Sequence, residues 1–143
     1  MTKTNDNNFS IQLKKMNLLD VKLNQPEQPL PDNTKFNFNL NIAYNVNENK
    51  EIANIITTVQ VFHQDNKTLL GSIKSNCAIF IQNLANYIDE NKKISLPDEL
   101  ITSLNSLAIS TTRGMMFSEF RGTFLHDAVL PLLNPKNVMN KKE

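Results

Sequence analysis

Three glycines, one cysteine and two histidines are all that this 143-residue chain holds of the residue types on which phosphate loops, disulfides and metal sites depend. A lone Cys77 cannot close an internal disulfide, and without a basic neighbour it reads as a packed small hydrophobe rather than a thiolate nucleophile. Neither His63 nor His126 stands at a ligand spacing from Cys77 or from a carboxylate pair, so no metal site is legible. With glycine only at 71, 114 and 122, there is no loop to cradle phosphate, and no serine occupies a nucleophile elbow. Charge is equally sparse: 15 Lys and Arg against 14 Asp and Glu leave a net +1, too weak a field to select nucleic acid or an anionic membrane. No apolar run approaches the roughly 20 residues that span a bilayer, and the polar start of the chain lacks a signal-peptide core. The expected compartment is a reducing cytoplasm, with no catalytic residue, metal or cofactor.

What the chain does have is alternation. Residues 1–8 and 139–143 are expected to be disordered around one domain at 9–138. Phe9, Ile11 and Leu13 alternate with polar residues, but the period slips between Leu13 and Met16 and again between Leu18 and Val21, as bulges do to an edge strand. Pro26, Pro29 and Pro31 exclude 25–34 from any central strand. Phe36, Phe38, Leu40, Ile42, Tyr44 and Val46 then alternate without a slip against a face made almost wholly of Asn, the mark of a half-buried antiparallel strand with one wet side. Polar turns at 47–50 and 64–67 bound two further strands, giving four in a meander.

The last third changes period. Leu100, Ile101, Leu104, Leu107, Ala108, Met115, Phe117 and Phe120 return to one helical face, with Ser95 and Asp98 as a capping box and Gly122 as the stop. Gly114 costs about 1 kcal/mol against alanine inside a helix, a residue expected at a close contact or a bend. Beyond Gly122 an apolar segment broken by Pro131 and Pro135 reads as a second short helix or an extended arm. The expected fold is α+β: a four-stranded antiparallel sheet with a long C-terminal helix and a short second helix on one face. Met115, Met116, Phe117, Phe120, Phe124 and Leu125 offer more apolar area than one inner helix face needs. The surplus points to an oligomer interface, to a groove for unfolded apolar segments, where flexible Met and flat Phe tolerate many partners, or to both.

These residues also carry a resemblance. Phe9-Ser-Ile-Gln-Leu with Asp20 ahead of a proline-bearing connector, the alternation at 36–42, and Arg121-Gly-Thr-Phe followed by Leu130-Pro-Leu-Leu-Asn resemble the protein-export chaperone SecB and its SecB-like relatives, over residues 9–138. The resemblance implies an ATP-independent holdase that binds unfolded client polypeptides, assembled as a homotetramer, a dimer of dimers around packed long helices. Carried over by position, the peptide-binding residues are Phe36, Phe38, Leu40, Ile42, Ile79, Met115 and Phe117. Asp20 is the matching residue for docking the translocase motor SecA, although Asn24 stands where that pattern has an acid and the chain lacks the family's acidic tail. Two alternatives belong beside this reading: a SecB-like chaperone of a toxin-antitoxin system without motor docking, and a hot-dog-like acyl-thioester enzyme, whose helix normally precedes most of its strands. A plain interaction subunit with one stoichiometric partner is a third.

Overall fold

The computed structural model describes residues 10–65, 67–132 and, for the backbone alone, 140–142; the loose segment expected at 1–8 lies outside these. Strands β1 (Ile11–Leu23), β2 (Phe36–Asn47), β3 (Ile52–His63) and β4 (Leu69–Ile81) precede helix α1 (Asp98–Phe120), and a three-residue strand β5 (Asn140–Lys142) follows. The α+β class is as expected, an antiparallel sheet of four long strands with one long helix after them. Only part of the meander is there. The sheet order is β1-β4-β3-β2-β5, so β2, β3 and β4 are consecutive hairpins while β1 lies beside β4. The connector at 24–35 must therefore pass from one side of the sheet to the other. It departs from a backbone bond, Asn24 N–H to Leu70 C=O at 2.9 Å.

The two slips in β1 are real bulges. The β1–β4 register shifts between Leu13 and Lys15 and between Leu18 and Asp20, and β1 is an edge strand. β2 differs in kind: its register with β3 runs unbroken from Phe36 opposite His63 to Asn47 opposite Ile52. Strict alternation keeps one whole face apolar, and a one-residue slip would turn it to water. Asn140, Lys141 and Lys142 pair in parallel with Ile42, Ala43 and Tyr44 on the outer side of β2; residues 139 and 143 of the expected loose end lie outside the described residues.

The helix starts at Asp98 with Pro97 as its cap residue, and no side chain caps it. Ser95 cannot, because the proline holds the cap two residues later; the Ser95 amide instead bonds Tyr87 C=O at 2.8 Å. Its buried face is Leu100, Leu104, Asn105, Ala108, Ile109, Thr112, Met116 and Phe120. Phe117, assigned inward by spacing, is 64% exposed. The inner stripe runs through polar residues because the sheet supplies partners for them. The Tyr44 hydroxyl donates to Asn105 Oδ1 at 2.8 Å, and Ser75 Oγ meets Thr112 Oγ1 at 2.8 Å. Thr112 also donates to Ala108 C=O at 2.7 Å. Thr57 Oγ1 and Asn105 Nδ2, buried in the same layer, have no hydrogen-bond partner among the described residues.

Burial pushes the Tyr44 phenol far above its ordinary range. The raised value means that the neutral phenol is favoured in the folded state, so its stabilisation is complete below about pH 10 and declines as pH rises beyond that. Tyr44→Phe should lower stability at neutral pH by about 1–3 kcal/mol, because Asn105 Oδ1 loses its partner. The same variant should lose less stability than the parent between pH 10 and 11.5 in denaturant titrations. Parallel alkaline curves for the two proteins would show that Tyr44 does not carry the effect.

The second short helix is not formed. Residues 121–127 are a run of turns and bends, and 128–132 have no regular secondary structure. Gly122 at φ +82° ends α1, a left-handed conformation that glycine adopts without steric cost. Arg113 then holds the arm: its Nε donates to Leu130 C=O and its Nη2 to Pro131 C=O, each at 2.9 Å. Carbonyls engaged by a guanidinium, followed by a proline without an amide hydrogen, cannot propagate a helix. Leu125, Ala128 and Leu130 on this arm are buried in the core.

Candidate peptide-binding site

Helix α1 lies over β3 and β4 and reaches β1, so it covers the first half of β2 least. Phe36, Phe38 and Leu40 stand there, opposite His63, Val61 and Val59, on the helix side of the sheet. All three are half-buried, packed against the core from one side. The row is flanked through the sheet. Phe38 is level with Val61, Val61 with Gly71 and Gly71 with Leu23. Leu125 from the arm comes down on Gly71, where an added Cβ would lie 2.6 Å from Leu125 Cδ1 and 2.8 Å from Lys22 C=O. Glycine is required there because arm and β1 both approach the backbone.

The other expected binding residues do not join this row. Ile42 and Ile79 are 0% exposed; they belong to the core under the helix, and a client chain could not touch them without opening it. Met115 is half-buried on α1. Phe117 lies on the far side of the helix, at a cavity of about 360 Å³ that it lines with Ser110, Arg113, Gly114, Met116, His126, Ala128 and Val129. A Cβ added at Gly114, expected at a close contact or a bend, would meet no atom of the described residues within 4 Å beyond its own stretch of helix, so the glycine lines the cavity without filling it. Arg113 as the arm's anchor was not read from sequence, although an Arg-Gly pair inside a helix is an unusual enough combination to have marked the place.

Asp20 is exposed on β1, in register with Lys74, and Lys22 Nζ is 4.0 Å from its carboxylate. Both signs of charge are present, so among the described residues no acidic patch forms around it. His63 ends β3 and accepts from the Asp65 amide through Nδ1 at 3.3 Å. Asp65 in turn accepts from the amides of Lys67 and Thr68 at 2.9 and 3.1 Å, which hold its carboxyl below the usual range. Both residues build the turn. Cys77 is buried, and that burial pushes its thiol up, away from nucleophilic use. Among the described residues no three His, Cys, Asp or Glu side chains gather into a metal-binding group, and no helix is long and apolar enough to cross a membrane.

A long helix follows an antiparallel sheet of four long strands, and the same SecB-like fold is found in a solved structure. The solved structure of the SecB-like chaperone Rv1957 from Mycobacterium tuberculosis, in complex with a ChAD peptide from the antitoxin Rv1956 HigA1, aligns with a TM-score of 0.60 over 86% of this chain and 90% of that one. Sequence identity is 11%, so the likeness is one of fold. A protein of unknown function from Streptococcus agalactiae aligns more loosely, with a TM-score of 0.36, 10% identity and coverage of 80% and 90%. No family model and no curated protein matches the sequence.

Proposed function

We propose that this chain is an ATP-independent holdase chaperone that keeps extended, apolar segments of unfolded client chains from aggregating. The observation that carries the reading is the row Phe36, Phe38 and Leu40: three large apolar side chains, half open to solvent, at an edge of a SecB-like sheet. Side chains that already pack on a core from one side present their other face to a client at little further entropic cost. Binding spread over such shallow contacts has modest specificity, as a client-tolerant chaperone requires.

The test is light scattering of an unfolded, reduced client without nucleotide. Stoichiometric protein should suppress its aggregation, and unchanged aggregation would end the holdase reading. The thioester-enzyme rival predicts acyl-thioester turnover, which a holdase lacks. A toxin-antitoxin role is favoured over export by one observation: the structurally similar Rv1957 was solved with an antitoxin peptide. With Lys22 and Lys74 beside Asp20, the reading does not depend on SecA.

We place the protein in the cytoplasm as a homotetramer. Leu13, Met16, Leu18, Leu19 and Leu23 on β1 are all more than a third exposed, more apolar surface than a solitary small domain usually leaves in water. A mass measurement in solution should return four times the 16.3 kDa of one chain; a monomer would remove the interface.

A further inference from the structure

The two sides of the sheet, β1 on one and β2 with the short β5 along part of it on the other, are defended unequally. β1 carries Lys14, Lys15, Asp20 and Lys22 and is broken by two bulges, the devices by which natural sheets discourage a further strand. β2 has none of them. From Phe36 to Asn47 it contains no charged residue and no proline, and its register is unbroken over its whole length. Every second residue of such a strand turns its amide and carbonyl outward. The chain already uses that edge, since Asn140, Lys141 and Lys142 lie along Ile42, Ala43 and Tyr44 as a parallel strand.

We infer that the β2 edge takes up an extended client segment by strand addition, backbone to backbone, and that Asn140–Lys142 is an internal occupant of the same edge which a client displaces. This rests on the holdase reading and supplies its recognition mode. Main-chain hydrogen bonds carry the affinity without reading sequence. The pleat supplies the remaining preference: alternate side chains of an added strand fall beside Phe36, Phe38 and Leu40 on one face and beside Asn39 and Asn41 on the other. The favoured client is therefore a segment of alternating apolar and polar residues, free of proline.

The experiment uses the full chain and a fluorescent, unstructured peptide of alternating Val and Ser, compared with the same peptide N-methylated at every second residue. Methylation removes amide donors from one edge of the peptide, so two methylation phases, odd and even, are made. One phase should bind about tenfold more weakly than the parent, the loss of two or three backbone hydrogen bonds, and the other within about twofold. Hydrogen exchange at 38–41 should slow on binding the parent. A chain ending at Met139 should bind the parent peptide at least about threefold more tightly, because the occupant of the edge is gone. Equal binding of all three peptides with unchanged exchange at 38–41 overturns strand addition while leaving the holdase intact. Absence of binding by every peptide, together with unsuppressed client aggregation, overturns both.

Discussion

Replacing Phe120 by alanine should remove about 3–5 kcal/mol of stability, whereas the same change at Phe117, three residues earlier, should cost less than about 0.5 kcal/mol in the isolated domain. The two phenylalanines are chemically identical and lie in the same helix, so the contrast measures environment alone. Phe120 is 1% exposed and closes the core at the helix end, where its carbonyl accepts from the Thr123 amide at 3.0 Å and from Thr123 Oγ1 at 2.7 Å. Truncating it withdraws a ring from that core and leaves a cavity beneath the turn that launches the arm. A loss of this size is a large share of the roughly 5–15 kcal/mol that holds a typical domain together, and it should lower the melting temperature by about 10–20 °C. Phe117 rims the solvent-facing cavity, so its removal takes away little buried area. Equal losses in the two variants, read by chemical denaturation, would mean that the face of α1 is wrongly assigned. A loss at Phe117 that appears only in the assembled protein would locate it in a subunit contact.

That contrast also marks where sequence reasoning worked and where it could not. The alternation of β2 is complete because one face is wet and the other covered, and the same requirement exposes the two slips of β1 as bulges. Each is a local property with a period of two residues, visible without knowing any partner. Strand order is not local. Nothing in the spacing of Ile11 or Val21 says that β4, rather than β2, is their neighbour; the information lies in how far the proline-bearing connector reaches. The helix face failed for a different reason. Hydrophobicity draws the inner stripe through Leu107, Met115 and Phe117, but the real stripe includes Asn105 and Thr112, which are acceptable inside only because Tyr44 and Ser75 meet them there. A polar residue satisfied across 37 or 61 positions of sequence cannot be told from a surface residue by periodicity.

The candidate site divides along the same line. Phe36, Phe38 and Leu40 were legible as an apolar row and remain one, half open at the edge of the sheet. Ile42 continues their alternation without interruption, yet it is wholly buried because it stands level with Thr57 and Ser75, where α1 crosses. Exposure along a single strand thus changes from one end to the other while its pattern does not. The helix position that decides this is set by contacts the strand itself does not encode.

Phe38→Asp should abolish suppression of client aggregation and weaken peptide binding by at least about tenfold, while the domain remains folded. The position supports both halves of that expectation. Phe38 faces Val61 across the β2–β3 ladder and is only half-buried, so a carboxylate there can turn toward water and avoid the full desolvation cost of a buried charge. A client laid against the row has no such escape: it would place apolar side chains on a hydrated anion and forfeit the area that an aromatic ring offers. Ile42→Asp provides the opposing control. Its side chain is sealed under the helix, and an uncompensated charge there should unfold the protein. Circular dichroism melts and solution mass, measured beside the aggregation assay, separate the two outcomes. A Phe38→Asp protein that is folded, assembled and still fully active as a holdase would remove the side-chain row from the site, leaving the backbone edge of β2 and the cavity beside Phe117 as the surfaces to probe next.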